Sequence, residues 1–170
     1  MEFKTYVRDI QDFPEKGIVF KDISPLLKDQ LAFQTATRAL IDMVGDQPVD
    51  KVIGIESRGF FFAPLLAFEL GAGFVPVRKA GKLPADKISR TYALEYGSDT
   101  LEIHSDSIVN GDRVLIHDDV LATGGTAKAT CELVESLGGE VILCHFLLEL
   151  DFLQGRKQLE GYPARALMTF

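Results

Sequence analysis

VLIHDDVLATGGTA, residues Val114–Ala127, decides how this chain is read. It opens on an apolar run suited to a buried strand and reaches two adjacent carboxylates, Asp118 and Asp119. After Val120 and Leu121 come Ala122, Thr123, Gly124, Gly125 and Thr126, at the mouth of a segment with helical spacing. In an open parallel sheet, ligands bind at the carboxyl ends of strands, where such a turn lies. Two glycines let the backbone approach an anion closely. The freed N–H groups, the helix N-terminus and the threonine hydroxyls then favour a phosphomonoester. Two acids beside a phosphate would repel it unless they serve another part of the ligand. Carboxylates hydrogen-bond well to vicinal ribose hydroxyls, so the segment describes a seat for a 5′-phosphoribosyl group. The bland alternative is a solvated strand end and a turn whose glycines serve shape alone. It leaves the order of the parts unexplained.

Outward from this segment, strands and helices alternate. Lys51–Glu56 reads as a buried strand, followed by Ser57, Arg58 and Gly59 and an apolar helix from about Phe60 to Leu70. Phe74–Arg78 is a second strand and Arg113–His117 a third. A helix from about Thr126 to Leu137 stops at Gly138 and Gly139, and Glu140–Leu148 is a fourth strand. Near-continuous apolar strands alternating with helices predict an α/β fold, a parallel sheet flanked by helices. Leu31–Val44 has helical spacing, with Leu31, Ala32, Ala36, Ala39, Leu40 and Met43 on one expected stripe. The interval Lys79–His104 breaks the pattern. It begins polar, with Gly and Pro, then alternates as strands do in TYALEY and LEIH. A long excursion inside a compact domain is commonly a lid, and residues 79–97 are expected to be a flexible loop. The whole of 1–170 is read as one domain.

Composition narrows the class. At 170 residues and 46% hydrophobic, the chain suits a globular domain that buries a sizeable core. Its formal net charge of -7 argues against a nucleic-acid wrapper, which needs a basic surface. Cys131 and Cys144 have no metal-ligand spacing and read as small core hydrophobes in a reducing setting. No apolar run approaches the ~20 residues that span a bilayer. No signal peptide is read at Met1–Ile10. A cytoplasmic location is expected, with no membrane or nucleic-acid partner.

Competing motifs fail on particular residues. Gly54 and Gly59 have P-loop spacing, but Phe60 and Phe61 stand where Lys and Ser/Thr belong. Gly71 and Gly73 precede a strand and lack the third glycine of a dinucleotide fingerprint. Ser57 on a strand–turn–helix suggests a hydrolase nucleophile, yet Ile55 occupies the first glycine position of the required elbow.

VLIHDDVLATGGTA resembles the phosphoribosyl pyrophosphate signature of type I phosphoribosyltransferases, with His117 where an apolar residue is usual. Three further segments extend the resemblance: ESRG at 56–59 is similar to the family's pyrophosphate loop, while RKAGKLP at 78–84 with YALEYG at 92–97, and GIVFKDISP at 17–25, are similar to its adenine-using members. The resemblance runs from about Phe13 to Leu159. It implies that family's fold, with a small hood from about 1–25 and 149–170. It also implies transfer of phosphoribosyl from phosphoribosyl pyrophosphate to adenine, giving AMP and pyrophosphate, with Mg²⁺ and as a homodimer.

By the same resemblance, Ala122, Thr123, Gly124, Gly125 and Thr126 take the 5′-phosphate and Asp118 and Asp119 the ribose. Glu56, Ser57, Arg58, Lys79 and Lys82 face the pyrophosphate, with a cis peptide expected between Glu56 and Ser57. Val19 and Lys21 read the base edge through their main chains, while Phe20 and Leu150 cover its faces. Glu95 handles the purine proton and Tyr96 closes over the reacting centre. No direct protein cage for Mg²⁺ is expected; the substrate holds it, with Asp118 and Asp119 reaching it through water. From the residues alone, Phe20 reads as a core aromatic, Glu95 equally well as a surface strand position, and the basic loop equally as solvated or as a second phosphate cluster. Two alternatives stay open: another base as acceptor, or a regulator that keeps the site without catalysis.

Overall fold

The computed structural model describes residues 1–93 and 97–170. By compactness the chain divides into Met1–Ala39 and Leu40–Phe170.

The first unit holds a two-stranded antiparallel sheet, β1 (Arg8–Gln11) with β2 (Val19–Asp22). Cross-strand ion pairs flank it, Arg8–Asp22 at 2.6 Å and Lys21–Asp9 at 2.7 Å. The connection carries a cis Phe13–Pro14 peptide and Gly17 at φ 91°. A short helix, α1 (Ser24–Lys28), follows, with Pro25 in its first turn where no backbone donor is needed. Helix α2 (Gln30–Val44) then begins and runs on past Ala39. Its buried stripe is Ala32, Ala36, Leu40 and Val44, a strict four-residue spacing. Leu31, expected on that stripe, is exposed: it sits one position round the helix.

The second unit is built on a seven-stranded sheet. In chain order its elements are β3 (Lys51–Ile55), α3 (Ala63–Glu69), β4 (Gly73–Lys79), β5 (Lys87–Ala93), β6 (Ser98–His104), β7 (Arg113–Leu121), α4 (Gly125–Ser136), β8 (Glu140–Glu149) and β9 (Ala164–Thr169). The spatial order is β5-β6-β4-β3-β7-β8-β9. The five strands from β4 to β9 are parallel; β6 joins β4, and β5 joins β6, antiparallel. The apolar helix expected from Phe60 begins instead as a 3-10 turn, Arg58–Phe61, before α3.

Alternation along β3 shows how both faces are covered. Ile53 and Ile55 join the core cluster with Ala127, Cys131 and Leu133 of α4. Gly54, between them, faces the other way, where a Cβ would lie 2.8 Å from Ala63 Cβ of α3. Successive strand residues point to opposite faces, so α3 and α4 cover opposite sides, as near-continuous apolar strands require. Cys131 and Cys144 are free, buried in the cluster with their sulfurs 3.4 Å apart. No helix among the described residues is long and apolar enough to cross a membrane.

Three segments differ from the sequence expectation. Strand β7 does not stop at His117 but continues to Leu121, because β8 keeps pairing with it from Asp118↔Phe146 to Leu121↔Glu149. Much of the interval 79–97 is regular: β5 and β6 pair from Lys87↔His104 to Ala93↔Ser98, extending the sheet. And the C-terminal segment, expected in the hood, supplies β9 to the main sheet beside β8.

Candidate active site

The glycine turn expected to take a phosphate is made where β7 gives way to α4. Gly124 is the N-cap residue at φ 87° and ψ -9°, a left-handed conformation that a side chain disfavours. Leu121, Thr123, Gly124 and Thr126 help to line a cup of about 60 Å³, room for a group of a few heavy atoms. The N-terminus of the twelve-residue α4 lies at this cup, so its unpaired N–H groups and dipole favour an anion there. The Thr126 hydroxyl donates to Tyr92 Oη at 2.9 Å, tying hairpin β5–β6 to the helix start.

Beside this cup opens a larger cavity of about 650 Å³. Asp118 and Asp119 both line it, although neighbouring residues of a strand normally face opposite ways. The reason is the neighbouring strand. Pairing between β3 and β7 ends at Gly54↔His117, so both acids lie beyond the last paired position, Asp118 level with Ile55 at the end of β3. There the chain turns away through a cis Glu56–Ser57 peptide, the conformation the resemblance implied. Gly59 closes the gap: a Cβ on it would lie 2.9 Å from His117 O and 3.1 Å from Asp118 Oδ1.

Arg58 Nε stands 3.0 Å from Asp119 Oδ2. That oxygen is buried and receives no well-directed hydrogen bond, so the contact is an ion pair by distance. Asp118 Oδ1 accepts from the Asp119 amide at 2.8 Å. Burial, with the Asp119 charge next door, holds the Asp118 carboxyl well above the usual carboxylate range. Burial raises Asp119 too, against the opposing pull of Arg58. Two desolvated acids side by side need donors or cations. Ribose hydroxyls, or a hydrated cation, would satisfy them.

The cations expected at the far wall are held by acids. The Glu56 carboxylate accepts from Arg78 Nη2 at 3.1 Å and Nε at 3.2 Å, and from the Lys79 amide at 3.0 Å. Arg78 therefore holds Glu56 below its usual range. Lys79 Nζ pairs with Asp99 at 3.0 Å, raising the lysine and lowering the aspartate. Glu56, Ser57, Arg58 and Lys79 line the cavity. Lys82 does not appear among its walls; it is exposed, and its carbonyl accepts from Arg78 Nη1 at 3.0 Å.

The base-contact candidates lie on two units. Val19, Phe20 and Lys21 form most of β2. Phe20 is half-buried, meeting Phe13 edge-on at 5.1 Å between ring centroids. Leu150 follows β8, half-buried, and its amide donates to Leu121 O at 2.9 Å. Glu95 and Tyr96 lie outside the described residues. Sequence reading missed Tyr92 and Asp99 as cavity walls. Their signal was the shared alternation of TYA and SDTLEIH, which pairs Tyr92 with Asp99 across the hairpin.

Among the described residues, no three His, Cys, Asp or Glu side chains converge to hold a metal. Two carboxylates, one with an unsatisfied buried oxygen, suit a hard hydrated cation that takes its other ligands from substrate oxygens.

The family model described as "Phosphoribosyl transferase domain" matches residues 23–166. The chain is 61% identical over all 170 residues to the adenine phosphoribosyltransferase of Flavobacterium johnsoniae, covering 100% of both. The crystal structure of the Rhodothermus marinus adenine phosphoribosyltransferase superposes with a TM-score of 0.95 at 53% identity, covering 99% of this chain and 96% of that one. The Saccharomyces cerevisiae adenine phosphoribosyltransferase, solved with an imino-altritol bisphosphate and adenine, gives 0.92 at 44% identity, with 98% and 96% covered.

Proposed function

The chain belongs to the phosphoribosyl transferase domain family, and we propose that it transfers the 5-phosphoribosyl group of phosphoribosyl pyrophosphate to adenine, giving AMP and pyrophosphate. The observation that carries this reading is the sharing of Asp118, Ala122 and Thr126 between the phosphate cup and the larger cavity that also holds Arg58 and Asp119. A phosphate on the turn places a ribose against the acids and a leaving group toward Arg58. Full-length similarity to adenine phosphoribosyltransferases supports adenine as the acceptor.

In this reading the backbone amides around Gly124 and Gly125, with the Thr123 hydroxyl, hold the 5′-phosphate, and the Thr126 hydroxyl joins them when its proton turns from Tyr92 Oη to the phosphate. Asp118 and Asp119 accept hydrogen bonds from the ribose hydroxyls, so burial that is costly in the free protein is offset by ligand. The bond from C1′ to pyrophosphate breaks as adenine N9 bonds to C1′, through a state with positive charge on the sugar. Arg58 and Lys79 meet the negative charge growing on the departing oxygens, in a cavity whose dipoles are already oriented. Asp118 and Asp119 would hold Mg²⁺ through water, and the ion would supply neutralising charge for the departing oxygens. Phe20 stacks on the base and the main chains of Val19 and Lys21 read its edge, with Leu150 a candidate apolar contact on the strength of the resemblance alone. Glu95 takes or relays the purine proton and Tyr96 helps to exclude water, on the strength of the resemblance.

The working unit is a homodimer. Support comes from Phe61, Leu65, Phe68 and Phe74, exposed large apolar residues on the turn, helix α3 and strand β4. Apolar patches of this kind mark interfaces. The location is the cytoplasm, with Cys131 and Cys144 serving as small buried core residues.

The deciding experiment mixes the protein with phosphoribosyl pyrophosphate, Mg²⁺ and one base at a time. AMP and pyrophosphate should form with adenine and only weakly with hypoxanthine, guanine, xanthine or a pyrimidine. Turnover of another base in preference, or of none, overturns the reading.

A further inference from the structure

Behind the phosphate turn lies a second backbone, that of Gly155. It opens a 3-10 turn, Gly155–Leu159, buried at its two ends and exposed between them. A Cβ on Gly155 would overlap the Ala122 carbonyl oxygen, and would lie 3.0 Å from Leu121 Cδ1 and 3.1 Å from Gly124 N. Conversely, a Cβ on Gly124 would overlap the Gly155 carbonyl oxygen and lie 2.9 Å from Gln158 Cβ. The two main chains are packed against each other with no side chain between. Gly155 is not among the glycines at positive φ, so its backbone suits any residue. Space alone demands glycine there.

What holds Gly155 in place is its neighbour. Arg156 grips the Glu149 carboxylate with Nε at 2.7 and 3.0 Å and Nη2 at 2.7 Å, while Nη1 donates to Ala164 O at 2.7 Å. The Glu149 side chain is 3% exposed, so losing this fork would strand a buried charge. Glu149 in turn is fixed in the sheet, paired with Leu121 of β7 and Thr169 of β9. The contacts run from the sheet through Glu149 and Arg156 to Gly155, and from there onto the turn. Neither Gly155 nor Arg156 lines either cavity.

We propose that Gly155 and Arg156 are positioning residues for the reaction: the Arg156–Glu149 fork presses the Gly155 backbone against Ala122 and Gly124 and so sets where the turn's amides point. This rests on the reading of residues 122–126 as the seat of the 5′-phosphate. Amide donors aimed at a tetrahedral anion lose affinity with small displacements, and misplacement by about 1 Å can cost on the order of 100-fold in rate.

The test compares initial rates of Gly155→Ala, Arg156→Lys and Thr123→Ala with the natural sequence, varying each substrate in turn. Gly155→Ala should raise KM for phosphoribosyl pyrophosphate roughly tenfold or more, with KM for adenine little changed and cooperative unfolding retained. Arg156→Lys keeps the charge but loses the fork, and should give the same pattern at smaller size. It carries the test alone if Gly155→Ala does not fold. If Thr123→Ala raises that KM while the other two leave it unchanged, the turn holds phosphate but is not positioned from behind, and the inference is overturned. If all three leave it unchanged, the phosphate seat itself is misread and the inference falls with it. A loss shared equally by both KM values and kcat means general damage, and also overturns it.

Discussion

Arg58 Nε and Asp119 Oδ2 meet at 3.0 Å, joining the turn after β3 to the acid end of β7. The pair gives Asp119 a partial counter-charge and puts a guanidinium in the cavity that Asp118 and Asp119 line. Removing the cation should therefore damage the chemical step more than ground-state binding. Arg58→Ala is expected to lower kcat by about 100-fold or more, equivalent to roughly 3 kcal/mol, with smaller changes in either KM. Steady-state kinetics on both substrates checks this; an unchanged kcat removes Arg58 from the reaction.

Phe20 sits half-buried on β2, edge-on to Phe13, in the segment whose resemblance assigns it to the base. Phe20→Ala should raise KM for adenine by about tenfold, the worth of an aromatic contact of roughly 1–1.5 kcal/mol, while KM for phosphoribosyl pyrophosphate holds steady. Calorimetric titration with adenine measures the same loss directly. A ring that belongs only to the core would instead lower the melting temperature and leave adenine affinity intact.

Gly59 lies where a side chain would strike the His117 carbonyl oxygen at 2.9 Å and Asp118 Oδ1 at 3.1 Å. The first of these is backbone and cannot rotate away. Gly59→Ala should cost about 1–3 kcal/mol of stability by overpacking and should weaken phosphoribosyl pyrophosphate binding by shifting Asp118. Urea unfolding and substrate kinetics, read together, test both halves.

Stability should also fall on mild acidification. Leu40 O can only accept, so His145 Nε2 donates to it at 2.9 Å, and His145 Nδ1 accepts from His117 Nδ1 at 3.0 Å. Both rings are thereby neutral and buried, and His117 Nε2 has no hydrogen-bond partner. Burial pulls His145 from the usual 6.5 to about 4 and holds His117 well below its usual value. Between those limits the unfolded chain binds a proton that the folded chain refuses, so stability is lost as pH falls from about 6.5 to about 4. For His145 alone this is on the order of 3 kcal/mol. The raised Asp118 and Asp119 carboxyls act in the opposite sense. Unfolding free energy is therefore compared, across that window, between the natural sequence and His145→Gln. The variant should show a visibly shallower acid loss, and parallel curves would contradict the buried neutral pair.

Phe68 is 82% exposed on α3, with Leu65 and Phe61 exposed one and two helical turns earlier. Phe68→Lys should convert a dimer to a monomer in sedimentation without unfolding it. A natural chain that sediments as a monomer at working concentration would dispose of the dimer reading instead.

Much of this protein was legible from contiguous residues. The phosphate turn, the acids before it and the alternation of apolar strands with helices each depend on neighbours in the chain, where glycine conformation, helix dipole and strand burial act over a few residues. The sequence by itself thus determined the α/β sheet, the glycine turn at the start of a helix and the family. Other features answer to partners far away. Strand β7 runs four residues longer than its own pattern suggests because β8 goes on pairing with it. Asp118 and Asp119 share one cavity only because β3 ends beside them. Residues 164–169 became a sheet strand because β8 had a free edge to offer. Tertiary structure alone decided that Gly155 should lie against Gly124, since distance along the chain carries no sign of two backbones that must touch.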